Sequence, residues 1–282
     1  MSLGQENPSP GRGYDLWSAA ADYPPWQGAP RRALVICTQH RSGSSLLGEA
    51  IHAAGGLGCP VEYFHGGVRP LFERRWQTSD FPSYVDALYR LRTAPSGVFG
   101  AKIVWFDVVD LVSELSPGEF EMLRQEGPLK PPPDLYRRVY AVLRAILPDP
   151  TWVRLTRRNT IEQAVSHFVA WETRTWRRIA EPDAKAPHRP AYDFDAICQI
   201  LARIQSANVH WARFFRANHL APVEIAYEDL AQNYAATLSR FFADIGHASP
   251  PARPPRLQKQ ADEHSQILLK QFLADFRRRA QG

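Results

Sequence analysis

The sequence predicts an α/β protein in which a doubly wound, mostly parallel sheet is flanked by helices, with further helical elaborations. Short continuous apolar runs alternate along the chain with longer segments of helical periodicity. The first run, residues 33–37, lacks the alternation of a strand with one solvated face and is typical of a central parallel strand. A small polar loop joins this run directly to a helical segment.

Each predicted strand is a short apolar segment rich in β-branched or aromatic residues. The predicted strands cover residues 33–37, 98–104, 152–156 and 223–226. Because longer helical segments separate them, the connections are of the crossover type that joins parallel strands.

The segments between the strands have the apolar spacing of helices. The first helix begins in the loop after residue 37 and ends at Gly55 and Gly56. Asn159 is predicted to cap the helix after the third strand, which is expected to continue toward Trp176. Further helices are predicted at residues 82–92, 135–147, 197–215 and 230–245 and near the C-terminus, with proline-rich interruptions at 127–133, 181–190 and 250–255.

The chain is predicted to consist of an irregular N-terminal arm over residues 1–30 and a single domain over residues 31–282. The arm is rich in Gly, Pro and polar residues, whereas the hydrophobic content of 44% fits a globular protein with a buried core. The sequence contains neither an apolar run near the ~20 residues needed to span a bilayer nor the pattern of a signal peptide. We therefore expect a cytoplasmic protein without an integral membrane segment.

The composition also argues against other classes of protein. Cys37, Cys59 and Cys198 are widely spaced, which is typical of reduced thiols used in packing, and no Cys/His pattern predicts a metal site. The net charge is +5, but the sequence lacks a nucleic-acid-binding module and a long basic run. We therefore expect neither a bound metal nor a nucleic-acid partner.

The loop after the first strand has the chemistry of an anion site. Ligands of parallel sheets collect at the carboxyl ends of the strands, and a helix N-terminus offers unpaired N–H groups. The glycine permits a sharp turn, while the serines and the arginine add donors and positive charge. A serine-capped turn alone would not explain the whole set. The loop residues are Arg41, Ser42, Gly43, Ser44 and Ser45.

A second anion site is predicted where the third strand ends. Either Arg157 or Arg158, together with Ser166 on the following helix, could converge on one phosphate. The pattern is weak by itself and gains weight only beside the loop at residues 41–45.

Taken together, these blocks resemble the bacterial trehalose 2-sulfotransferase family of the sulfotransferase superfamily. The resemblance implies a P-loop-like fold and an enzyme that uses 3′-phosphoadenosine-5′-phosphosulfate (PAPS) as donor and no metal. It also implies a carbohydrate or glycoconjugate acceptor and a homodimer. The matching blocks follow the family's order: residues 39–47 (QHRSGSSLL), 59–64 (CPVEYF), 97–105 (GVFGAKIVW), 157–166 (RRNTIEQAVS), 172–176 (ETRTW), 227–230 (YEDL) and 257–262 (LQKQAD).

By this resemblance, Arg41 and the rest of the loop bind the 5′ side of the donor and stabilise the transferring group. Arg157 or Arg158, with Ser166, binds the 3′-phosphate. Tyr227 corresponds to the tyrosine that contacts adenine.

The resemblance places the general base at Glu62. Its apolar neighbours in sequence predict a partly desolvated carboxylate with a pKa raised toward neutrality. Lys102, in an apolar strand, is expected to reach the oxygens of the transferring group. His40 and His65 stay open as rival bases, because cytosolic relatives in the superfamily use histidine.

Two alternative functions use the same residues. The first is a noncatalytic module that binds a sulfated or phosphorylated ligand, although pure binding needs neither Glu62 nor Lys102. The second is a nucleotide kinase, although the loop lacks the leading glycine and the lysine of GxxxxGK[ST].

Overall fold

A parallel sheet lies at the centre of the fold. The computed structural model describes residues 15–124, 131–177, 188–248, 254–255, 257 and 263–280. Within these ranges the sheet has four strands in the order β2-β1-β3-β4, and every pairing is parallel. The strands are β1 (Arg32–Thr38), β2 (Val98–Val104), β3 (Pro150–Thr156) and β4 (Val223–Ala226).

The sheet is covered on both faces, as the apolar run of β1 predicts. Ala33, Val35 and Cys37 belong to one hydrophobic cluster, whereas Leu34 and Ile36 belong to another on the opposite face. Because successive side chains of a strand point to opposite faces, a continuous apolar run must be buried on both sides.

Helices form the layers on either side of the sheet. Helices α1, α8 and α9 contribute to one cluster, whereas α2 to α5 and α7 contribute to the other. A further cluster joins α6, α7 and α10. The helices are α1 (Ser44–Ala54), α2 (Arg69–Trp76), α3 (Phe81–Arg92), α4 (Trp105–Leu115), α5 (Pro133–Ile146), α6 (Thr160–Thr173), α7 (Phe194–Ala217), α8 (Tyr227–Gln232), α9 (Tyr234–Asp244) and α10 (Glu263–Ala280).

The α/β doubly wound fold with helical elaborations is confirmed. The strand order reverses direction between β1 and β3, which creates the switch point where ligands of such sheets bind. The predicted bounds of β2 and β4 are those observed, and the cap of α6 is present, with the Asn159 side chain accepting from the Glu162 N–H at 3.0 Å.

The structure corrects two predictions about helices and adds two helices that were not predicted. Helix α6 ends at Thr173 instead of continuing toward Trp176, because Arg174 adopts a left-handed conformation (φ 53°). The segment 230–245 belongs to two helices, α8 and α9, which are separated at Asn233. Helices α2 and α4 were not predicted: α2 buries only Phe72, and α4 continues the apolar run of β2 without a break in composition.

The described part of the N-terminal segment lies against the core. The guanidinium of Arg92 donates to the carbonyls of Leu16 (2.9 Å) and Ala21 (3.2 Å) and pairs with Asp22 (3.0 Å). The division into an arm at 1–30 and one domain at 31–282 stays a prediction. Residues 1–14 lie outside the described residues, as do most of the predicted interruptions at 127–133, 181–190 and 250–255 and most of the motif block at 257–262.

Candidate active site

The loop between β1 and α1 makes a sharp turn that depends on Gly43. Gly43 precedes the first residue of α1 and has φ +83°. A β-carbon at this position would lie 2.6 Å from Cδ2 of Tyr227, so that a larger residue would displace the ring. Arg41 also has a positive φ, 63°, which is uncommon for a residue with a side chain. The turn therefore needs glycine both for its backbone and for its contact with Tyr227.

The serines of the loop have different surroundings. Ser42 is fully buried, and its hydroxyl donates to the Gln39 carbonyl at 2.7 Å, so this side chain stabilises the turn. Ser44 and Ser45 open α1, where the first N–H groups of a helix lack intrahelical partners. The hydroxyl of Ser45 accepts from Nε of Arg177 at 3.3 Å. The first turn of α1 thus offers backbone donors and two hydroxyl groups.

Arg41, in the loop after β1, contacts Ser166 on α6, the helix that follows the neighbouring strand β3. Its Nε donates to Oγ of Ser166 at 3.1 Å, and NH1 donates to the carbonyl of Trp176 at 2.6 Å. Burial, together with Arg157 and Arg177, lowers the pKa of Arg41 to about 10, which leaves the group positive at neutral pH. Several arginines held close together in a partly buried site favour an anionic ligand.

The structure distinguishes the two arginines at the end of β3. Arg157 is buried (8% exposed), donates to the carbonyl of Arg41 at 3.3 Å, and lies 4.8 Å from the centre of the Tyr227 ring. Arg158 is turned away: its side chain is 60% exposed and makes a bidentate pair with Asp229 at 2.8 and 2.7 Å. Arg157 therefore lies with the loop, and Arg158 does not.

Glu62 and Lys102 lie beside the loop as an ion pair. The chain after α1 runs next to β2, where the Lys102 N–H donates to the Val61 carbonyl at 3.0 Å. Oε1 of Glu62 lies 2.9 Å from Nζ of Lys102, and the lysine is completely buried. Gly48 on α1 makes room, because a β-carbon there would lie 2.9 Å from the Pro60 carbonyl and 3.6 Å from Cδ of Lys102.

The prediction of a raised Glu62 pKa was wrong in direction. Burial by itself raises the pKa, as expected, but the positive charges of Lys102 and Arg177 outweigh it and lower the pKa to about 2. The sequence showed the apolar neighbours of Glu62 and could not show the two cations opposite it. Glu62 is therefore an ionised, ion-paired carboxylate in this structure.

The rival histidines belong to an aromatic cluster beside the ion pair. The ring of His40 lies 5.6 Å from His65, 5.3 Å from His167 and 5.9 Å from Trp176, measured between ring centres. Burial and the neighbouring His65 lower the pKa of His40 to about 3, so His40 is neutral. Nδ1 of His65 accepts from the Gly67 N–H at 3.0 Å. His167 was not predicted to lie here, since the helical pattern gave no reason to separate it from ordinary packing. The block at residues 172–176, which ends at Trp176, falls where acceptor-facing residues could lie, but no role was predicted for its residues.

Other site residues were also missed from the sequence. Arg177 follows the block at residues 172–176 and lies between Ser45 and Glu62, with NH2 3.9 Å from Oε2 of Glu62. Asp107, in the first turn of α4, is 5% exposed, and burial raises its pKa to about 7. A carboxylate within an apolar run was the signal that could have drawn attention to Asp107.

Across the described ranges, no group of three or more His, Cys, Asp or Glu side chains is arranged to hold a metal ion. In the same ranges, every helix is too short or too polar to cross a bilayer. The site thus consists of arginines, a lysine, hydroxyl groups, a carboxylate and aromatic rings.

Comparison with known proteins gives the following similarities. The sequence model of the family described as Stf0 sulphotransferase matches residues 33–275. A trehalose 2-sulfotransferase of Mycobacterium tuberculosis (strain Erdman) is 28% identical over 88% of this chain and 96% of its own length. A trehalose 2-sulfotransferase of Mycolicibacterium smegmatis is 24% identical over 88% of this chain and 97% of its own. A solved sulfotransferase domain from the curacin biosynthetic pathway aligns with a TM-score of 0.41 and 15% identity over 84% of this chain and 83% of that one.

Proposed function

Since this chain belongs to the Stf0 sulphotransferase family, we propose that it transfers a sulfuryl group from PAPS to a hydroxyl of a carbohydrate or glycoconjugate. The observation that carries the proposal is the convergence of two sets of residues. Arg41, Arg157 and Ser166 meet at the N-terminus of α1, and the Glu62–Lys102 pair lies beside the same loop. The first set suits an anionic donor, and the second suits proton removal.

The donor would bind along the edge formed by the carboxyl ends of β1, β3 and β4. The N-terminal turn of α1, with Ser44, Ser45 and Arg41, would hold the 5′-phosphosulfate. Arg157 and Ser166 would hold the 3′-phosphate, and we choose Arg157 over Arg158 because only Arg157 lies against the loop. Tyr227 would contact the adenine, as its place directly after β4 suggests.

The transfer would be an in-line displacement at sulfur. The acceptor oxygen forms the new S–O bond as the bond to the bridging oxygen of the phosphosulfate breaks, and the electron pair leaves with 3′,5′-ADP. Glu62 accepts the proton of the acceptor hydroxyl. Arg41 and Lys102 stabilise the charge that spreads over the sulfuryl oxygens, as positively charged groups do in phosphoryl transfer.

The ion pair suggests how Glu62 becomes an effective base. In this structure Lys102 lowers the basicity of Glu62. Sulfuryl oxygens placed at the N-terminus of α1 would compete for the ammonium group. Glu62 would then lose part of its partner's charge and become a stronger base when donor is present.

A carbohydrate acceptor is supported by the relatives, which are trehalose 2-sulfotransferases. The aromatic cluster of His40, His65, His167 and Trp176 offers rings and hydrogen-bonding groups beside Glu62, and both suit the ring faces and hydroxyl groups of a sugar. We propose trehalose as the first acceptor to test. A cytoplasmic location and a homodimer stay predictions.

The deciding experiment combines purified protein, PAPS labelled in its sulfuryl group, and trehalose or a set of other sugars. We expect labelled sugar and a stoichiometric amount of 3′,5′-ADP. Tight binding of 3′,5′-ADP without transfer to any sugar would favour the noncatalytic module. Thermal stabilisation by ATP but not by 3′,5′-ADP would favour the nucleotide kinase.

A further inference from the structure

Arg177 occupies a position between the donor loop and the base. Its Nε donates to Oγ of Ser45 at 3.3 Å, and its NH2 lies 3.9 Å from Oε2 of Glu62. Its positive charge also acts on Arg41 and Lys102, lowering the pKa of each, although burial is the larger cause for both. A third cation close to these two is unfavourable in an empty site and favourable around an anion.

The aromatic side chain against Arg177 comes from the N-terminal segment. The guanidinium carbon of Arg177 lies 4.6 Å from the centre of the Trp17 ring, within the range of a cation–π contact. Trp17 precedes residue 33, where the match to the family begins.

Two arginines of the core fix the backbone around Trp17. Arg75 donates to the carbonyl of Trp17 and pairs with Asp22 at 2.7 Å, while Arg92 donates to the carbonyl of Leu16 at 2.9 Å. Both arginines also contact aromatic rings of α2. The segment is therefore held against the core at the point where it meets Arg177.

We propose that Arg177 is a further catalytic residue, which binds the sulfuryl group between the donor loop and Glu62, and that Trp17 is its positioning residue. This proposal rests on the proposed sulfuryl transfer. Arg177 would stabilise the charge on the nonbridging oxygens in the transition state, beside Lys102 and Arg41. Trp17 would act through Arg177, because its indole ring holds the guanidinium of Arg177 in place. The N-terminal segment would thus complete a site that the family-matched residues do not supply alone.

The test compares Arg177→Ala and Arg177→Lys with the matched control Arg174→Ala. Arg174 is exposed and makes its own cation–π contact with Trp171 at 4.8 Å, three positions before Arg177. Because loss of one preorganised donor typically lowers kcat by about 10²–10³, we expect a loss of this order for Arg177→Ala. We expect a smaller loss for Arg177→Lys and none for Arg174→Ala.

A binding measurement separates contact with the sulfuryl group from a general effect on the site. PAPS and 3′,5′-ADP differ in the sulfuryl group, so Arg177→Ala should weaken binding of PAPS, measured without acceptor, more than binding of 3′,5′-ADP. If Arg177→Ala weakened binding of PAPS and of 3′,5′-ADP equally, Arg177 would not contact the sulfuryl group. The same conclusion would follow if the kcat of Arg177→Ala equalled that of Arg174→Ala. If the wild type transferred to no acceptor, the proposed function would fail, and the two affinities would still decide the role of Arg177.

Trp17 is tested by a double-mutant cycle with kcat as the readout. Trp17→Ala should lower kcat about tenfold, an estimate for losing part of one preorganised contact, and Trp17→Phe should retain most of the activity. Trp26→Ala is the control, since Trp26 lies in the same segment and contacts Arg31 at 5.5 Å. Trp17→Ala should add little to Arg177→Ala, because the two residues act as a unit. If the kcat losses of the two single variants instead multiply in the double variant, Trp17 does not act through Arg177, and the positioning role is overturned.

Discussion

Oε1 of Glu62 lies 2.9 Å from Nζ of Lys102, and neither group has much contact with water: the lysine side chain is 0% exposed and the glutamate side chain 12%. A buried pair is expensive to break by removing one partner, because the other charge is left uncompensated. The pair therefore keeps Glu62 ionised, and the same contact makes it a weak base. We propose that donor binding releases Glu62 from Lys102, and the first two variants below test this proposal.

Glu62→Gln should lower turnover severely and leave donor binding intact. Loss of a general base typically costs about 10²–10⁴ in rate, and the amide cannot accept the proton. Single-turnover transfer from labelled PAPS measures the rate, and calorimetry with 3′,5′-ADP measures binding. His40→Gln and His65→Gln are the controls. A collapse in either of them, with near-normal turnover in Glu62→Gln, would assign the base to a histidine.

Lys102→Met should shift the pH dependence of kcat/KM. In the wild type, burial raises the pKa of Glu62, and the positive charges of Lys102 and Arg177 oppose this effect. Without Lys102, the pKa must rise, and the acid limb of the profile should move to higher pH. Urea unfolding should also show a loss of about 3–5 kcal/mol, typical of a buried pair missing one partner. An unmoved acid limb in a folded variant would mean that Lys102 does not control Glu62.

Arg157→Ala and Arg158→Ala should differ in their affinity for 3′,5′-ADP. A hydrogen bond to a charged group contributes about 1.5–3 kcal/mol, so Arg157→Ala should weaken binding roughly tenfold to a hundredfold. Arg158 is paired with Asp229 on the surface, and its loss should change affinity by less than about threefold. Calorimetry measures the affinity of both variants for 3′,5′-ADP. A larger loss of affinity in Arg158→Ala than in Arg157→Ala would place the 3′-phosphate at Arg158.

Gly43→Ala should impair donor binding, whereas Gly28→Ala should not. Both glycines have a positive φ, +83° and +73°, and both variants carry the backbone strain of that conformation. Only at Gly43 would the new methyl group meet Tyr227, whereas nothing lies within 4 Å of the position at Gly28. The affinity for 3′,5′-ADP therefore tests the loop and its contact with Tyr227, while Gly28→Ala controls for the general cost of a strained backbone elsewhere in the chain. Equal affinities in the two variants would contradict this interpretation.

Asp107 should make the protein less stable as the pH rises. Burial, only partly opposed by His65, raises the pKa of Asp107 to about 7, against about 3.9 for an unfolded chain. Between about pH 4 and pH 7, the Asp107 carboxyl is deprotonated in the unfolded chain and protonated in the folded protein. The contribution of Asp107 to stability is therefore complete below about pH 4 and is lost as the pH rises through about 7.

Urea unfolding across this range should show the slope, and Asp107→Asn should reduce it. Asp110→Asn is a matched control on the same helix, because the side chain of Asp110 is 59% exposed. The same slope in Asp107→Asn as in the wild type would assign it to other groups.

The strands and the loop after β1 could be predicted because their signals are local. An apolar run such as residues 98–104 must be buried on both faces, and Gly43 beside three serines marks a turn at a helix N-terminus. The resemblance of ordered blocks supplied the candidate roles of Glu62 and Ser166, whereas the role of Lys102 was inferred from its place in an apolar strand. Helix α4 could not be predicted by the same means, because its first residues continue the apolar run of β2.

The sequence by itself determined the covered parallel sheet, the polar loop after β1 and the residue types of an anion site. Only the tertiary structure decided which charges meet: Lys102 and Arg177 face Glu62, Arg157 turns toward the loop, and Arg158 turns toward Asp229. The physical reason is that burial of a strand depends on its own residues, whereas a pKa depends on charges brought close from distant parts of the chain. Apolar neighbours in sequence therefore predicted the burial of Glu62 correctly and its pKa in the wrong direction.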